Sequence, residues 1–227
     1  MLTDRVQEYD ERYARENPNT SQAKFFANIT PGSRILEVGC ADGAFSAYLA
    51  EKLGCEVTGI ELNPDAAGKA ARVCRHVITG DIEQGALDQV EGKFDYILFG
   101  DVLEHLVTPG LTLARSKALL NDHGYILISI PNVAHYSVRW RLATGRFEYQ
   151  KHGLLDHTHL RFFTLRTATR LIEEAGLEIV NFDLVYVVPG LDLVKNFRWL
   201  EKFLKRYFSP LIGFQFIFKA KPRSPLS

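Results

Sequence analysis

Several absences narrow this sequence first. Neither charge is in surplus: Lys plus Arg and Asp plus Glu both number 27. A protein that grips a polyanion carries a basic excess, so nucleic acid is not an expected partner. Cysteine is scarce. Cys40, Cys55 and Cys74 are an odd number with no C-x-x-C pair. Neither a disulfide framework nor a zinc-ligand spacing follows, and reduced thiols in a cytoplasmic protein are expected. No apolar run reaches the ~18–20 residues that a membrane-spanning helix needs. The first sixteen residues are charged and polar, unlike a secretory leader.

What is present is a core-forming chain. Hydrophobic residues are 46% of 227, enough for one sizeable domain. Apolar runs predict strands at 35–38, 56–61, 76–79, 94–99 and 125–130, the last entered through a turn at 121–124. A helix is expected at 44–53, with Phe45, Leu49 and Leu53 on one face. Asn63 and Pro64 read as the N-cap and first residue of another helix. Thr164 caps a helix that Gly176 closes. Strands follow at 177–188 and 213–219. Strands alternating with helices argue for a parallel sheet covered on both faces, whose ligands lie beyond the C-terminal strand ends.

The run 34–64 carries the most chemistry. A dinucleotide fingerprint, G-x-G-x-x-G, would need glycine at 39, 41 and 44; here they are Gly39, Ala41 and Ala44. Glu37 puts a carboxylate where a pyrophosphate would bring like charge, so an NAD-dependent oxidoreductase is disfavoured. Glu61 ends the second strand, 22 residues after Gly39, where it can accept ribose hydroxyls. Asp81 ends the third strand and suits an adenine amino group, with Ile82 against the ring. The ligand so described is an adenosine bearing a cationic group and no phosphates.

At these residues the chain resembles the class I S-adenosylmethionine-dependent methyltransferases. Their first motif appears as Glu37-Val38-Gly39-Cys40-Ala41-Asp42-Gly43, with Ala41 in place of a glycine. Glu61 and Asp81-Ile82 match the ribose and adenine motifs. The run from Phe94 to Leu106 matches the fourth-strand motif. The resemblance implies an α/β fold: a doubly wound, seven-stranded, mostly parallel Rossmann-like sheet with its last strand antiparallel and an inserted lid region. It implies S-adenosyl-L-methionine as cofactor, held by Glu37, Gly39, Cys40, Ala41, Gly43, Glu61, Leu62, Asp81, Ile82, Gly100, Asp101 and Val102. An N-terminal helix bearing Tyr9 and Tyr13 would close over it.

Methyl transfer to a hydroxyl also needs a base, and histidine serves near neutral pH. In an extended chain, His157, His159, Arg161 and Phe163 would share one face. A His-x-His pair beside Asp156 can also hold a metal, although the reaction requires none and none is assigned. The segment Asp156 to Phe163 resembles methyltransferases of glycan and secondary-metabolite pathways, and Thr158-His159 resembles the ubiquinone-type O-methyltransferases. His159 is the first candidate base, followed by His157 and His105. Asn132, His135, Tyr136 and Arg161 are candidate substrate-side groups. His76 and His123 read as surface groups at the opposite edge.

The expected organisation is one domain over 1–221: a helical lid at 1–30, the inserted substrate-side segment at 132–163, an amphipathic helix at 191–208 and a tail at 222–227. The basic face of 191–208, with Trp199, suits packing, a dimer partner or peripheral membrane contact. The functional expectation is methyl transfer to a hydroxyl of a small molecule, a sugar or glycan precursor first. A quinone-like or aromatic hydroxyl comes next, then an amine. A module that only holds the cofactor is a remoter alternative. A monomer or homodimer is expected.

Overall fold

The computed structural model describes residues 18–186 and 208–223. Tyr9, Tyr13 and nearly all of the segment 191–208 lie outside them. Seven strands form one sheet in the order β3-β2-β1-β4-β5-β7-β6. They are β1 Arg34–Val38, β2 Glu56–Glu61, β3 His76–Thr79, β4 Phe94–Gly100, β5 Leu120–Pro131, β6 Leu177–Tyr186 and β7 Gly213–Pro222. β1 to β5 pair in parallel, while β7 runs antiparallel between β5 and β6. This is the expected Rossmann-like methyltransferase sheet. Strand order reverses at β1, so the ends of β1 and β4 frame the crevice where such sheets bind ligands.

Both faces are covered, as the near-continuous apolar strands require. Leu36, Val38, Ile97, Phe99, Ile126 and Ile128 face one core with Phe216 and Phe218. Ile35, Tyr96, Leu98, Leu127 and Ile217 face the other. The helices are α1 Ser21–Phe26, α2 Ala44–Leu53, α3 Pro64–Ala70, α4 Pro109–Ser116, α5 Tyr136–Ala143 and α6 Leu165–Glu174. Side-chain caps start several of them: Thr20 on α1, Asn63 on α3, and a Thr164/Thr167 capping box on α6. Each cap satisfies N–H groups that the first helical turn leaves without partners.

Two expectations change. β5 begins at Leu120 rather than 125, and the expected turn becomes a register shift opposite Phe94 and Tyr96. Gly124 permits this, because a Cβ there would meet the Phe94 carbonyl at 2.9 Å. The segment 132–163, which shows no period in sequence, opens with α5. It then turns back through isolated bridges between Gln150 and Asp156 and between Asn132 and Phe163. Its N–H groups at Leu160 and Arg161 both donate to the Glu104 carbonyl, 2.9 Å away. This loop therefore lies across the segment that follows β4.

Candidate active site

The turn after β1 is built for close approach. Gly39 has φ +71, and a Cβ there would meet Val102 Cγ2 at 2.8 Å. Gly43 has φ +81, and a Cβ there would strike the Ala70 Cα at 2.9 Å. Glycine is required at both by conformation and by space. Ala41 adopts φ +48, also left-handed.

Two carboxylates flank the turn. Glu37 is buried, and the Ser46 hydroxyl donates to its Oε2. Burial pushes Glu37 up to about 8, against the pull of Ser46; Cys74 and Glu61 add to the rise. Glu61 accepts from the Ala41 N–H at 2.9 Å and the Asn63 N–H at 2.8 Å, one through each oxygen. It braces the turn and keeps lone pairs for further donors.

Other expected cofactor residues have structural duties. Asp81 caps a 3₁₀ turn, accepting from the Glu83 N–H and the Gln84 amide at 2.8 Å each. Ile82 is buried in the main core, whereas Leu62 is 67% exposed. Asp101 takes φ +54 and turns its carboxylate into the sheet. There it accepts from Ser129 Oγ at 2.7 Å and from Gln215 Nε2 at 2.9 and 2.8 Å. Burial raises its pKa, and these donors oppose the rise. Gly100 and Val102, on either side of it, remain at the crevice end of β4.

The substrate-side candidates divide. Asn132 is fully buried; its amide donates to the Pro210 and Gly213 carbonyls, and its oxygen accepts from the Ala134 N–H. It locks a chain junction and has no free face for a substrate. His135 is buried and caps α5 through Nδ1, packed against Tyr136 and Phe214. Tyr136 is half-buried at the start of α5. Arg161 is exposed and donates to the Val107 carbonyl at 2.6 Å, which pins the loop beside β4.

The histidines do not share one face, because the segment turns instead of extending. Asp156 accepts from the Thr158 N–H and hydroxyl, a side-chain turn that reverses the chain. His157 is exposed, with Nδ1 3.2 Å from the Gln150 carbonyl. His159 points inward, its side chain 7% exposed and its Nε2 4.0 Å from Glu104 Oε1. The Leu154 carbonyl also accepts from its ring, and burial, then His105, lowers its pKa. The His105 ring meets that of His159 edge-on at 4.9 Å. Its Nδ1 lies 3.2 Å from the Thr158 carbonyl, which leaves Nε2 for other use. The metal pair read from the sequence does not assemble. Instead Glu104, His105 and His159 each bring one possible ligand atom within 4.8 Å of the others.

Sequence reasoning passed over Glu104, Ser46, Ser129 and Gln215. Glu104 is 1% exposed, and among the described residues neither of its oxygens has a hydrogen-bond partner. Burial, then Asp101, holds its pKa well above the carboxylate range. Its signal was a charge between Leu103 and Leu106, both core residues. His76 lies at the opposite edge, where it lines a cavity of about 320 Å³ with Arg34, Glu56 and Arg75; His123 is exposed.

A glycine turn at the switch in strand order, a buried acid behind it and a second acid at the end of β2 together fit a cationic adenosine cofactor. This fold and site define a class I S-adenosylmethionine-dependent methyltransferase. The chain belongs to the methyltransferase-domain family, whose model matches residues 7–181. It is 27% identical over 156 residues to a ubiquinone biosynthesis O-methyltransferase of Burkholderia pseudomallei, covering 66% of this chain and 67% of that one. In fold it is similar to a SAM-dependent methyltransferase from Archaeoglobus fulgidus, with TM-score 0.64, 19% identity and coverage of 95% and 98%. It is also similar to the plantazolicin methyltransferase BamL, solved in complex with a triazolic desmethylPZN analogue and SAH, at TM-score 0.61, 17% identity and coverage of 97% and 91%. Its cofactor is S-adenosylmethionine. Among the described residues no helix is long and apolar enough to cross a membrane.

Proposed function

We propose that this methyltransferase acts on a hydroxyl of a small molecule, that the hydroxyl sits on a flat, apolar-faced acceptor, and that His105 takes its proton. The observation carrying the acceptor is a run of rings leading to the crevice. Phe147 and Tyr149 each lie within 6.4 Å of Phe162, Phe162 lies 6.2 Å from His159, and His159 meets His105. Ring faces and edges suit an aromatic or quinone-like acceptor. The ubiquinone O-methyltransferase relatives support the same choice, which puts it ahead of the sugar or glycan precursor expected from sequence. An amine is the second reading.

The cofactor, when bound, supplies an electrophilic methyl on a sulfonium, so the protein chiefly positions the acceptor and removes one proton. Glu37 would face the cofactor's ammonium and Glu61 its ribose. Among the candidate bases His105 replaces His159, whose two ring nitrogens face the Leu154 carbonyl and Glu104. The Thr158 carbonyl favours a proton on Nδ1 of His105, which directs the Nε2 lone pair outward. The loop 157–161 and Arg161 keep that ring beside the end of β4.

The test is an initial-rate panel that follows SAH release with S-adenosylmethionine and catechol-type, sugar and amine acceptors. Methylation of the aromatic hydroxyls above the rest is expected. A preference for sugars or amines would overturn the acceptor assignment, and unchanged turnover in His105→Ala would overturn the base.

A further inference from the structure

Two of the three cysteines meet beneath the cofactor turn. Cys40 is 3% exposed and Cys74 8% exposed, and they share one core cluster although α2, β2 and α3 separate them in sequence. Both sulfurs sit over Gly59: a Cβ there would meet Cys40 Sγ at 2.5 Å and Cys74 Sγ at 3.7 Å. The missing side chain of Gly59 makes the seat they occupy. Beside this pair the Ser46 hydroxyl donates to Glu37, the buried acid behind the turn.

We propose that Cys40 and Cys74 are a modification site, which hydrogen peroxide converts into an intramolecular disulfide tying the cofactor turn to the start of β3. The Cys74 sulfur attacks one peroxide oxygen and the O–O bond breaks. The departing oxygen leaves as water and Cys74 becomes a sulfenic acid. The Cys40 sulfur then attacks that of Cys74, forming the S–S bond and releasing a second water. The two thiols lose two hydrogens and two electrons, and the peroxide takes up both. The order follows from position: Cys74 is the more exposed of the two sulfur-bearing side chains, and the neighbouring Cys40 thiol pulls it down to about 7, whereas Cys74 and burial push Cys40 up. Cys55 is an internal control. Its sulfur lies 3.8 Å from the Thr30 carbonyl, and burial raises its thiol.

The bond has a consequence for the cofactor. Cys40 lies between Gly39 and Ala41, and its own N–H and carbonyl hold the turn against Ile60 and Gly43. Closing the disulfide draws its sulfur toward Cys74 and pulls on that turn. The oxidised protein therefore binds S-adenosylmethionine more weakly, and by linkage bound cofactor opposes oxidation.

The experiment treats the whole chain with hydrogen peroxide, blocks free thiols under denaturing conditions and maps the peptides. The expected result is loss of about 2 Da, a fall from three free thiols to one, and a Cys40–Cys74 linked peptide that reductant reverses. Cys55→Ser should still form the link, and Cys74→Ser should not. Cross-linking should also raise the melting temperature by roughly 5–10 °C, a readout independent of methyl transfer. Three thiols remaining, a link through Cys55, or Cys74 overoxidised without a link would each overturn the proposal. Cofactor titration of oxidised and reduced Cys55→Ser tests the consequence: several-fold weaker binding restored by reductant supports it, and equal affinity overturns it.

Discussion

Nε2 of His159 lies 4.0 Å from Oε1 of Glu104, and the two side chains are 7% and 1% exposed. A carboxyl so buried, with no hydrogen-bond partner among the described residues, is costly to ionise. The folded protein holds the Glu104 pKa well above its ordinary value. Its contribution is therefore fully present below the unfolded pKa and lost as pH rises through the folded one. Glu104→Gln, which mimics the neutral acid, should match the parent in thermal melts at pH 5 and exceed it at pH 8. A variant less stable than the parent at pH 8 would show that the ionised form is the one the fold needs.

Glu37 gives a pH dependence of cofactor binding. Its pKa of about 8, raised mainly by burial, means that near pH 7 the cofactor-free site holds a proton. Pairing with an ammonium favours the carboxylate, so binding should release that proton. Affinity for S-adenosylmethionine should rise between pH 6 and about 8 and level off above. Calorimetry in buffers of different ionisation heat reads the proton directly. Glu37→Gln should bind more weakly with no such slope; an unchanged slope in that variant would remove Glu37 as its source.

The sheet was legible because parallel strands buried on both faces read as apolar runs, and because Gly39, Glu61 and Asp81 mark the strand ends in order. Helix starts were legible where Asn63 and Thr164 act through their own neighbours. What sequence could not give was the path of 156–163. Its apparent alternation suggested one face, but the Asp156 carboxylate bonds to Thr158 and turns the chain, separating His157 from His159. Asn132 reads as a polar substrate group until Pro210 and Gly213, far along the chain, take up its amide. Glu104 escaped notice because a buried carboxyl looks, in sequence, like a surface charge beside His105.

Asp101 and Gln215 form a cross-sheet clamp that a charge-neutral change should break. In Asp101→Asn the amide nitrogen would replace one carboxylate oxygen and face a present donor: Ser129 Oγ and Gln215 Nε2 in the place of Oδ1, or Gln215 Nε2 in the place of Oδ2. Asparagine tolerates the left-handed backbone, so the loss reports on the hydrogen bonds. It should be about 1–3 kcal/mol in denaturant unfolding. Adding Gln215→Glu should restore part of it by supplying acceptors for the new amide, a coupling of about 0.5–3 kcal/mol. Strict additivity of the two changes would mean that the clamp is not a coupled pair.

Ala41 carries a test of the turn itself. At φ +48 its Cβ crowds the backbone, a strain of roughly 1–2 kcal/mol for an L-residue. Glycine would remove that strain but costs roughly 0.5–1 kcal/mol of extra unfolded-state entropy, so Ala41→Gly should stabilise the protein by about 0.5 kcal/mol. Valine adds a β-branched side chain to the same left-handed position and should be clearly destabilising. Denaturant melts should therefore rank glycine above alanine above valine. Cofactor affinity should follow the same order, because the Ala41 N–H is bonded to Glu61 at 2.9 Å and any shift of the turn moves that carboxylate. If valine left both stability and affinity unchanged, the turn would have to relax out of the left-handed region without cost, and the tie between Ala41 and Glu61 would not set the cofactor site.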